Sequence, residues 1–321
     1  MPRGDNRLSR RSSRRPPSGK TSRAPTPPPG AAVARRARIA GSSARQSAAG
    51  AARTQPQPRR RAHADAATTT DDLGPITPLS IPRGARGVIL FGGSFDPPHL
   101  WHTRIAVAAR RRLFPRDGWL VFVPAAQSPM KAGPVAPAAD RVHMLRLATR
   151  RLKRVRVWTD EIDRAARASR SSARSPGSGG DGRRASAPPV PRPSYTIDTV
   201  RRLRAILPAS VPIRLLIGAD QAVQFHKWKD FRELMTLAEP VVVLRPPLGT
   251  RRHLLASLRA QGAWSEEDLG RWGDRLVPCT TRGDSSTSVR ELARRGSLVS
   301  GLTARAVRDF LRDRGLYGEL R

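Results

Sequence analysis

The chain has 321 residues, and its 60 lysines and arginines outnumber its 25 aspartates and glutamates, which gives a net charge of +35. This excess favours a partner that carries phosphate or another polyanion, without identifying it. No apolar run reaches the roughly 18 residues that a membrane-spanning helix needs, so no membrane partner is expected. The single cysteine, Cys279, excludes an internal disulfide and fits a reducing compartment.

Residues 1–85 predict a disordered basic tail. They are dense in Arg, Pro, Ser, Ala and Thr, so they cannot bury enough apolar surface to offset the entropy of ordering. Two interpretations stay open: an arm that contacts nucleic acid, and a solvated tail of biased composition. The opening MPRGDNRLSRRSSRR contains paired arginines but no apolar stretch follows, which predicts a cytoplasmic protein, with an organellar transit peptide as the alternative.

Short apolar runs alternate with helical periodicity over residues 86–321. Such alternation predicts a mostly parallel sheet covered by helices on both faces. The runs are continuous rather than alternating, which is typical of strands buried on both faces. The fold class is therefore α/β, with a doubly wound parallel sheet. The predicted strands are 88–91, 119–123, 155–158, 213–217, 241–244 and 275–277, and the predicted helices are 102–114, 138–152, 196–207, 231–237, 251–259, 287–295 and 303–312.

A second segment of biased composition, residues 164–193, interrupts this domain. It is rich in Arg, Ser, Gly and Pro and carries nothing that looks catalytic. Segments of this kind inside a domain are disordered insertions or mobile lids. We predict a disordered insertion, with a lid as the alternative.

The stretch FGGSFDPPHLWH follows the first predicted strand. Gly92 and Gly93 let backbone approach a ligand closely, and two prolines then fix the turn into a helix. Positions three apart at a helix start share a face, so His99 and His102 are expected to point into the same space. Two histidines without a cysteine or carboxylate cluster make a poor zinc site. Phosphate binding is favoured over a structural histidine pair or a metal site.

This stretch resembles the GGTFDPxHxGH signature of the nucleotidylyltransferase superfamily. Five further motifs occur in the order found in its nicotinate-mononucleotide adenylyltransferases, and the resemblance covers about residues 87–320. It implies a Rossmann-like fold. The five motifs are SPMK at 128–131, SYTIDT at 194–199, GAD at 218–220 with Trp228 eight residues after Asp220, RP at 245–246, and SSTSVR at 285–290.

The resemblance implies adenylyl transfer from ATP to nicotinate mononucleotide, which gives nicotinate adenine dinucleotide and pyrophosphate in NAD biosynthesis. A phosphate nucleophile is already ionised, so catalysis rests on in-line positioning and on neutralising charge at the α-phosphate and the leaving group. Mg²⁺ is expected to accompany ATP, held by phosphate oxygens and water rather than by a protein metal site. The expected partners are these small molecules, and the oligomeric state is left open.

Site roles follow from the motifs residue by residue. Each has a plainer alternative: an ordinary capped helix at 286–290, with Ser288 and Glu291 as its capping box, a solvent-exposed Lys131, an N-cap at Thr196 and a core position for Trp228. Asp220 is expected to face the nucleotide sugar region. The resemblance implies catalytic contacts by His99, His102 and Arg290, binding of ATP and its phosphates by Gly92, Gly93, Ser94, Phe95, Lys131, Ser286 and Thr287, and mononucleotide binding by Thr196, Asp220 and Trp228, with the pyridine ring stacked on Trp228.

Three positions depart from the family pattern. Trp101 stands where a glycine is usual, so it should crowd the backbone beside the phosphates or turn its indole outward. Pro247 replaces the glycine after Arg-Pro and removes a backbone donor. Lys229 follows Trp228 where relatives commonly carry an aromatic residue.

Alternative functions remain. Within the superfamily, the acceptor could instead be nicotinamide mononucleotide or phosphopantetheine, although SYTIDT and the spacing from Asp220 to Trp228 argue against the latter. Outside it, the +35 charge is compatible with a nucleic-acid-binding protein on a retired enzyme fold. That hypothesis predicts lost catalytic residues, whereas His99, His102 and Arg290 are present.

Overall fold

Six strands form one sheet in the part of the chain that the computed structural model describes, which is residues 74–127, 133–174, 193–277, 285–297 and 301–318. All five strand pairs are parallel, in the order β3-β2-β1-β4-β5-β6. The predicted α/β fold with a doubly wound parallel sheet is confirmed. The strands are β1 (Gly87–Gly93), β2 (Gly118–Pro124), β3 (Val155–Val157), β4 (Ile213–Gly218), β5 (Glu239–Val243) and β6 (Leu276–Val277).

Helices connect and cover the strands, because parallel strands need crossover connections. None of the described helices is long and apolar enough to cross a membrane. A short 3₁₀ helix spans Phe225–Lys227. The α-helices are α1 (Leu100–Leu113), α2 (Ala138–Thr149), α3 (Asp160–Arg174), α4 (Thr196–Ile206), α5 (Ala219–Val223), α6 (Phe231–Leu237), α7 (Arg251–Arg259), α8 (Glu266–Asp274), α9 (Ser286–Arg294) and α10 (Arg305–Asp313).

Strand β1 lies at the centre of the sheet and explains its own continuous apolar run. Val88 and Leu90 pack in the core on one face, and Ile89 and Phe91 pack in the core on the other. The strand order reverses between β1 and β4, which leaves a crevice at their carboxyl ends. In doubly wound sheets this crevice is where ligands bind.

Residues 74–81, here called the N-terminal strap, pack against the domain, although the sequence assigned them to the tail. The indole of Trp158 donates a hydrogen bond to the carbonyl of Thr77 at 2.9 Å, and the amide of Thr77 donates to Asp160 at 2.9 Å. Arg202 donates to the carbonyls of Gly74 and Pro75, both at 2.8 Å. The packed domain therefore includes residues well before 86. Residues 1–73 of the predicted tail lie outside the described residues.

Helix α3 runs through the first third of the predicted insertion. Its first turn carries Asp160, Glu161 and Asp163, which suit the positive end of the helix dipole. Arg164 extends back to Asp160 at 3.1 Å, an ion pair one helical turn apart. The segment that was predicted to be a disordered insertion from residue 164 is thus helical to residue 174. Residues 175–192 lie outside the described residues.

Candidate active site

A pocket of about 300 Å³ opens at the carboxyl ends of β1 and β4, at the reversal of strand order. Its lining comes from the ends of β1, β2 and β4, from the starts of α3, α4 and α5, and from the 3₁₀ segment with the two residues that follow it. Six of the predicted site residues line this pocket. They are Gly92, Gly93, Ser94, Thr196, Asp220 and Trp228.

Gly92 borders open space in this pocket. A side chain built there would meet no atom within 4 Å, whereas at Gly93 it would meet the ring of Phe95 at 3.2 Å. The room beside Gly92 is therefore room for a ligand. Gly93 instead lets the chain turn tightly over Phe95.

Phe95 anchors the turn after β1 rather than lining the pocket. Its backbone adopts the left-handed conformation, with φ of +48°, and its ring is buried against Phe91 and Phe122 at centroid distances of 5.7 and 5.8 Å. The carboxylate of Asp96 accepts hydrogen bonds from the amides of Val135 and Ala136 at 2.7 and 3.0 Å. The turn that precedes the histidines is held from both sides.

The two histidines lie against each other at the start of α1. Their ring centroids are 3.8 Å apart, and Nδ1 of His102 accepts a hydrogen bond from the backbone amide of His99 at 3.1 Å. That bond assigns the proton of a neutral His102 ring to Nε2. Nδ1 of His99 is buried and has no hydrogen-bond partner. His99 and His102 therefore lie side by side, as their spacing predicted.

His99 should make the fold sensitive to acid. Burial, and then the positive charge of Arg245, lower the pKa of His99 from 6.5 to about 4. Between those values the unfolded chain binds the extra proton, so stability falls as the pH falls through this window. We expect His99→Asn to lose about 2 kcal/mol less than the wild type between pH 7.5 and 4.5, as measured by urea unfolding. His253→Asn, at an exposed histidine, should behave like the wild type, and equal losses in all three proteins would contradict the assignment.

Helix α9 meets the same turn from the other end of the sequence. The hydroxyl of Ser286 donates to the carbonyl of Pro97 at 2.9 Å, and Arg290 donates to the carbonyl of Asp96 at 2.7 Å and to the hydroxyl of Thr287 at 3.2 Å. The helix is capped by Ser285, which accepts from an amide in the first turn, so the alternative of a cap at Ser288 is wrong. The predicted residues of α9 therefore lie next to the histidine turn.

Trp101, which replaces the usual glycine of the family pattern, packs inward. Its side chain is partly buried against the core cluster that contains Phe91 and Phe95, and its indole nitrogen is buried without a hydrogen-bond partner. Its ring centroid lies 6.2 Å from that of His99. The indole lies beside the histidine pair and does not turn fully outward.

Trp228 presents one face to the pocket because the other is occupied. Phe225 stacks on it at a centroid distance of 4.9 Å and an interplanar angle of 29°. The next residue, Lys229, places its ammonium 4.9 Å from the ring centroid of Tyr195, and both side chains line the pocket. Thr196 is the first residue of α4, with Tyr195 in the N-cap position, so the N-cap alternative for Thr196 is wrong.

Asp220 and Arg245 form a two-point ion pair beside the pocket. The guanidinium binds both carboxylate oxygens, at 3.1 and 2.7 Å, and both side chains are about half exposed. Arg245 also lies close enough to His99 to lower its pKa. The sequence marked Arg245 through the Arg-Pro motif but gave it no role.

Glu161 lines the pocket, although the sequence gave it no role. It is buried at the start of α3 and accepts a hydrogen bond from the hydroxyl of Thr199 at 2.7 Å. Burial raises the pKa of Glu161, with Thr199 and Arg164 acting in the opposite direction. Its segment was assigned to no predicted element, so nothing in the pattern pointed inward.

Carboxylates suited to a protein metal cage do not meet in the described residues, where no group of three His, Cys, Asp or Glu side chains could hold a metal ion. Asp220 is engaged by Arg245, and Asp96 by backbone amides. Lys131, predicted to close over phosphates, lies outside the described residues.

Known proteins resemble this chain over most of the domain. A family model described as Cytidylyltransferase-like matches residues 90–292. The "Probable nicotinate-nucleotide adenylyltransferase" of Stenotrophomonas maltophilia is 33% identical over 236 residues, which are 71% of this chain and 96% of that protein. Proteins of the same name from Chromobacterium violaceum and Chlorobium luteolum are 31% and 29% identical, over 71% and 72% of this chain and 97% of each relative. The chain belongs to the cytidylyltransferase-like family and, within it, to the nicotinate-nucleotide adenylyltransferases.

Proposed function

We propose that the protein transfers the adenylyl group of ATP to nicotinate mononucleotide, forming nicotinate adenine dinucleotide and pyrophosphate for NAD biosynthesis. One observation carries this proposal. The histidine pair and the start of α9 meet at a single turn, and that turn borders a pocket with an aromatic wall. A site for phosphates therefore adjoins a site for a flat ring.

The chemistry needs a displacement at phosphorus. An oxygen of the mononucleotide phosphate attacks the α-phosphorus of ATP, the bond from that phosphorus to the bridging oxygen of the β-phosphate breaks, and pyrophosphate leaves. His102 would donate its Nε2 proton as a hydrogen bond to a phosphate oxygen that gains charge in the transition state. His99, neutral at pH 7 because its pKa is lowered to about 4, adds no charge of its own.

The start of α9 would hold the triphosphate. Backbone amides of the first helical turn have no partners within the helix, and the helix dipole attracts anions. Thr287 adds a hydroxyl. Arg290 adds a guanidinium whose orientation is fixed by its hydrogen bond to the carbonyl of Asp96. This arrangement would neutralise charge on the leaving pyrophosphate.

Mg²⁺ would enter with ATP, neutralising phosphate charge while bound to phosphate oxygens and water. The nearby carboxylates fit that mode, because each already has a partner: Asp220 binds Arg245, Asp96 accepts from backbone amides, and Glu161 accepts from Thr199. The chain's own part is to position the phosphates with Ser286, Thr287 and Arg290.

Trp228 would supply the surface on which the pyridine ring stacks. Removing such a surface costs about 1–3 kcal/mol of binding. We expect Trp228→Ala to raise KM for nicotinate mononucleotide about 10- to 100-fold, with Trp228→Phe closer to the wild type. KM for ATP is the internal reference, and an equal rise in both KM values would contradict a specific role for the ring.

The proposed reaction is tested by pyrophosphate release from the full chain with ATP and Mg²⁺. The acceptors nicotinate mononucleotide, nicotinamide mononucleotide and phosphopantetheine are offered separately. We expect the highest kcat/KM with nicotinate mononucleotide. A higher value with either of the others would reassign the acceptor, and release that does not depend on any acceptor would indicate ATP hydrolysis instead.

A further inference from the structure

Basic side chains also cluster at the amino ends of the strands, away from the site at their carboxyl ends. Strands β1, β2 and β3 are parallel neighbours, so the turns that precede them meet at their amino ends. Three segments, 83–86, 110–117 and 150–154, form what we call the basic face. Together they hold ten basic residues and one acidic residue, Asp117.

Backbone contacts join the three segments into one surface. The amide of Arg86 donates to the carbonyl of Asp117 at 3.0 Å, and the side chain of Arg110 donates to the carbonyl of Lys153. Arg154 pairs with Asp117 at 2.9 Å. The sole carboxylate of the face is thus already used.

The remaining cations of this face have little to neutralise them. Nine of the ten basic residues are exposed, and Arg110 is partly buried among them. Burial, and then the charges of Arg154 and Arg111, lower the pKa of Arg110, which indicates that like charges face one another there. A dense set of exposed guanidinium groups costs repulsion unless an anion binds.

Other surfaces of the described residues show that this imbalance is local. On α7 and α8 two exposed arginines pair with acids, Arg259 with Glu266 and Arg271 with Glu267. On α10, Asp309 lies between several arginines. The arginine-rich composition of the chain accounts for the number of cations, but it does not account for the lack of acids on one edge.

We propose that the basic face binds the phosphate backbone of a nucleic acid without reading its sequence. Guanidinium groups match phosphate oxygens in two-point hydrogen bonds, and contacts of this kind position a nucleic acid without selecting bases. A membrane surface is the weaker candidate, because the large exposed apolar residues, Val135 and Ile206, lie outside the face and leave it nothing to insert among the described residues.

Binding there is compatible with catalysis. The basic face lies at the amino ends of the strands, and the pocket lies at their carboxyl ends. Nucleic acid and the small substrates would therefore bind at opposite ends of the strands. The prediction that the N-terminal tail contacts nucleic acid is a separate one, on residues outside the described part of the chain.

The test compares two neutralised variants of the full chain. One carries Arg111→Gln, Arg112→Gln, Arg150→Gln and Arg151→Gln, on the basic face. The matched control carries Arg252→Gln, Arg259→Gln, Arg305→Gln and Arg312→Gln, which are exposed elsewhere. Both lose four charges and keep the first 73 residues, so any binding by those residues is common to all three proteins. Adenylyl transfer should stay near the wild-type rate in both variants, which confirms that they fold.

Fluorescence anisotropy with a labelled 20-base-pair duplex gives the readout across a range of salt. We expect the basic-face variant to bind at least about tenfold more weakly at low salt. The slope of log K against log salt concentration should be smaller in magnitude by about 2–4, since each lost phosphate contact reduces that slope by about 0.9. Equal affinities of the two variants would overturn the proposal. So would a basic-face effect seen on vesicles of phosphatidylglycerol and phosphatidylcholine but not on the duplex.

Discussion

Replacing His102 by alanine should lower kcat for adenylyl transfer by about 10²–10³-fold, the cost of removing one aligned hydrogen-bond donor from a transition state that gains charge on oxygen. When the His102 ring is neutral its proton lies on Nε2, because Nδ1 accepts from the amide of His99. KM for nicotinate mononucleotide should change little, because Trp228 and its neighbours form a separate part of the site. Steady-state pyrophosphate release measures both constants.

Two controls separate chemistry from structure in this prediction. His253→Ala removes an exposed histidine on α7 and should retain wild-type kcat. His102→Gln keeps an acceptor for the amide of His99, since glutamine suits this position of a helix start, and it should restore the stability of α1 without restoring full kcat. If His102→Ala retained more than about a tenth of wild-type kcat, His102 would not be the donor that the mechanism requires.

Replacing Arg202 by alanine should cost about 3–5 kcal/mol of unfolding free energy, the largest stability effect that we expect in the domain. Arg202 and Asp160 are fully buried and bind through two parallel hydrogen bonds of 2.8 Å. The same guanidinium donates to the carbonyls of Gly74 and Pro75. Its loss leaves a buried carboxylate short of partners and frees the N-terminal strap.

Urea unfolding of the full chain measures that loss. The matched control is Arg259→Ala, which breaks an exposed pair with Glu266 and should leave the free energy of unfolding close to that of the wild type. Similar losses in the two variants would mean that the buried pair contributes no more than a surface pair. The strap would then have to be held by the hydrogen bonds that join Thr77 to Trp158 and Asp160.

The sheet could be predicted because its signals are local. Most strands contain a short apolar run, and each site motif sits in the turn that follows a strand or at a helix start. The convergence of His99 and His102 followed from their spacing alone. The spacing could not show that Ser286 and Arg290 reach the same turn, because 189 and 194 residues separate them from Pro97 and Asp96. Only the family resemblance brought these two motifs together in the sequence.

The sequence did not predict the strap or helix α3, because polar contacts with distant residues hold both of them in place. The strap reads as disordered because its own apolar content is low, yet Arg202 satisfies its carbonyls from 127 and 128 residues away. Helix α3 reads as a loop because serine and arginine dominate it, and its anchoring pair joins Asp160 to Arg202. Composition measures what a segment can bury by itself, and it does not register partners supplied by another helix.

Helix α8 was missed for a different reason. Its polar stretch looks like a loop, but Ser265 caps it by accepting from the amide of Asp268 at 3.1 Å, and Asp268 accepts in return from the amide of Ser265 at 3.2 Å. This reciprocal cap is a local signal. Ser265 and Asp268 could have been recognised from the sequence together with the buried Leu269 and Trp272 that follow.

The central claim is that this chain joins an adenylyl group to nicotinate mononucleotide, and product identity in a mixed-substrate reaction tests it most directly. The full chain is incubated with ATP, Mg²⁺ and equal concentrations of nicotinate and nicotinamide mononucleotide, and the dinucleotides formed are separated and identified by mass. We predict that nicotinate adenine dinucleotide is the main product and that His102→Ala forms little of it. A reaction that yields mainly the nicotinamide dinucleotide, or neither one, would contradict the claim.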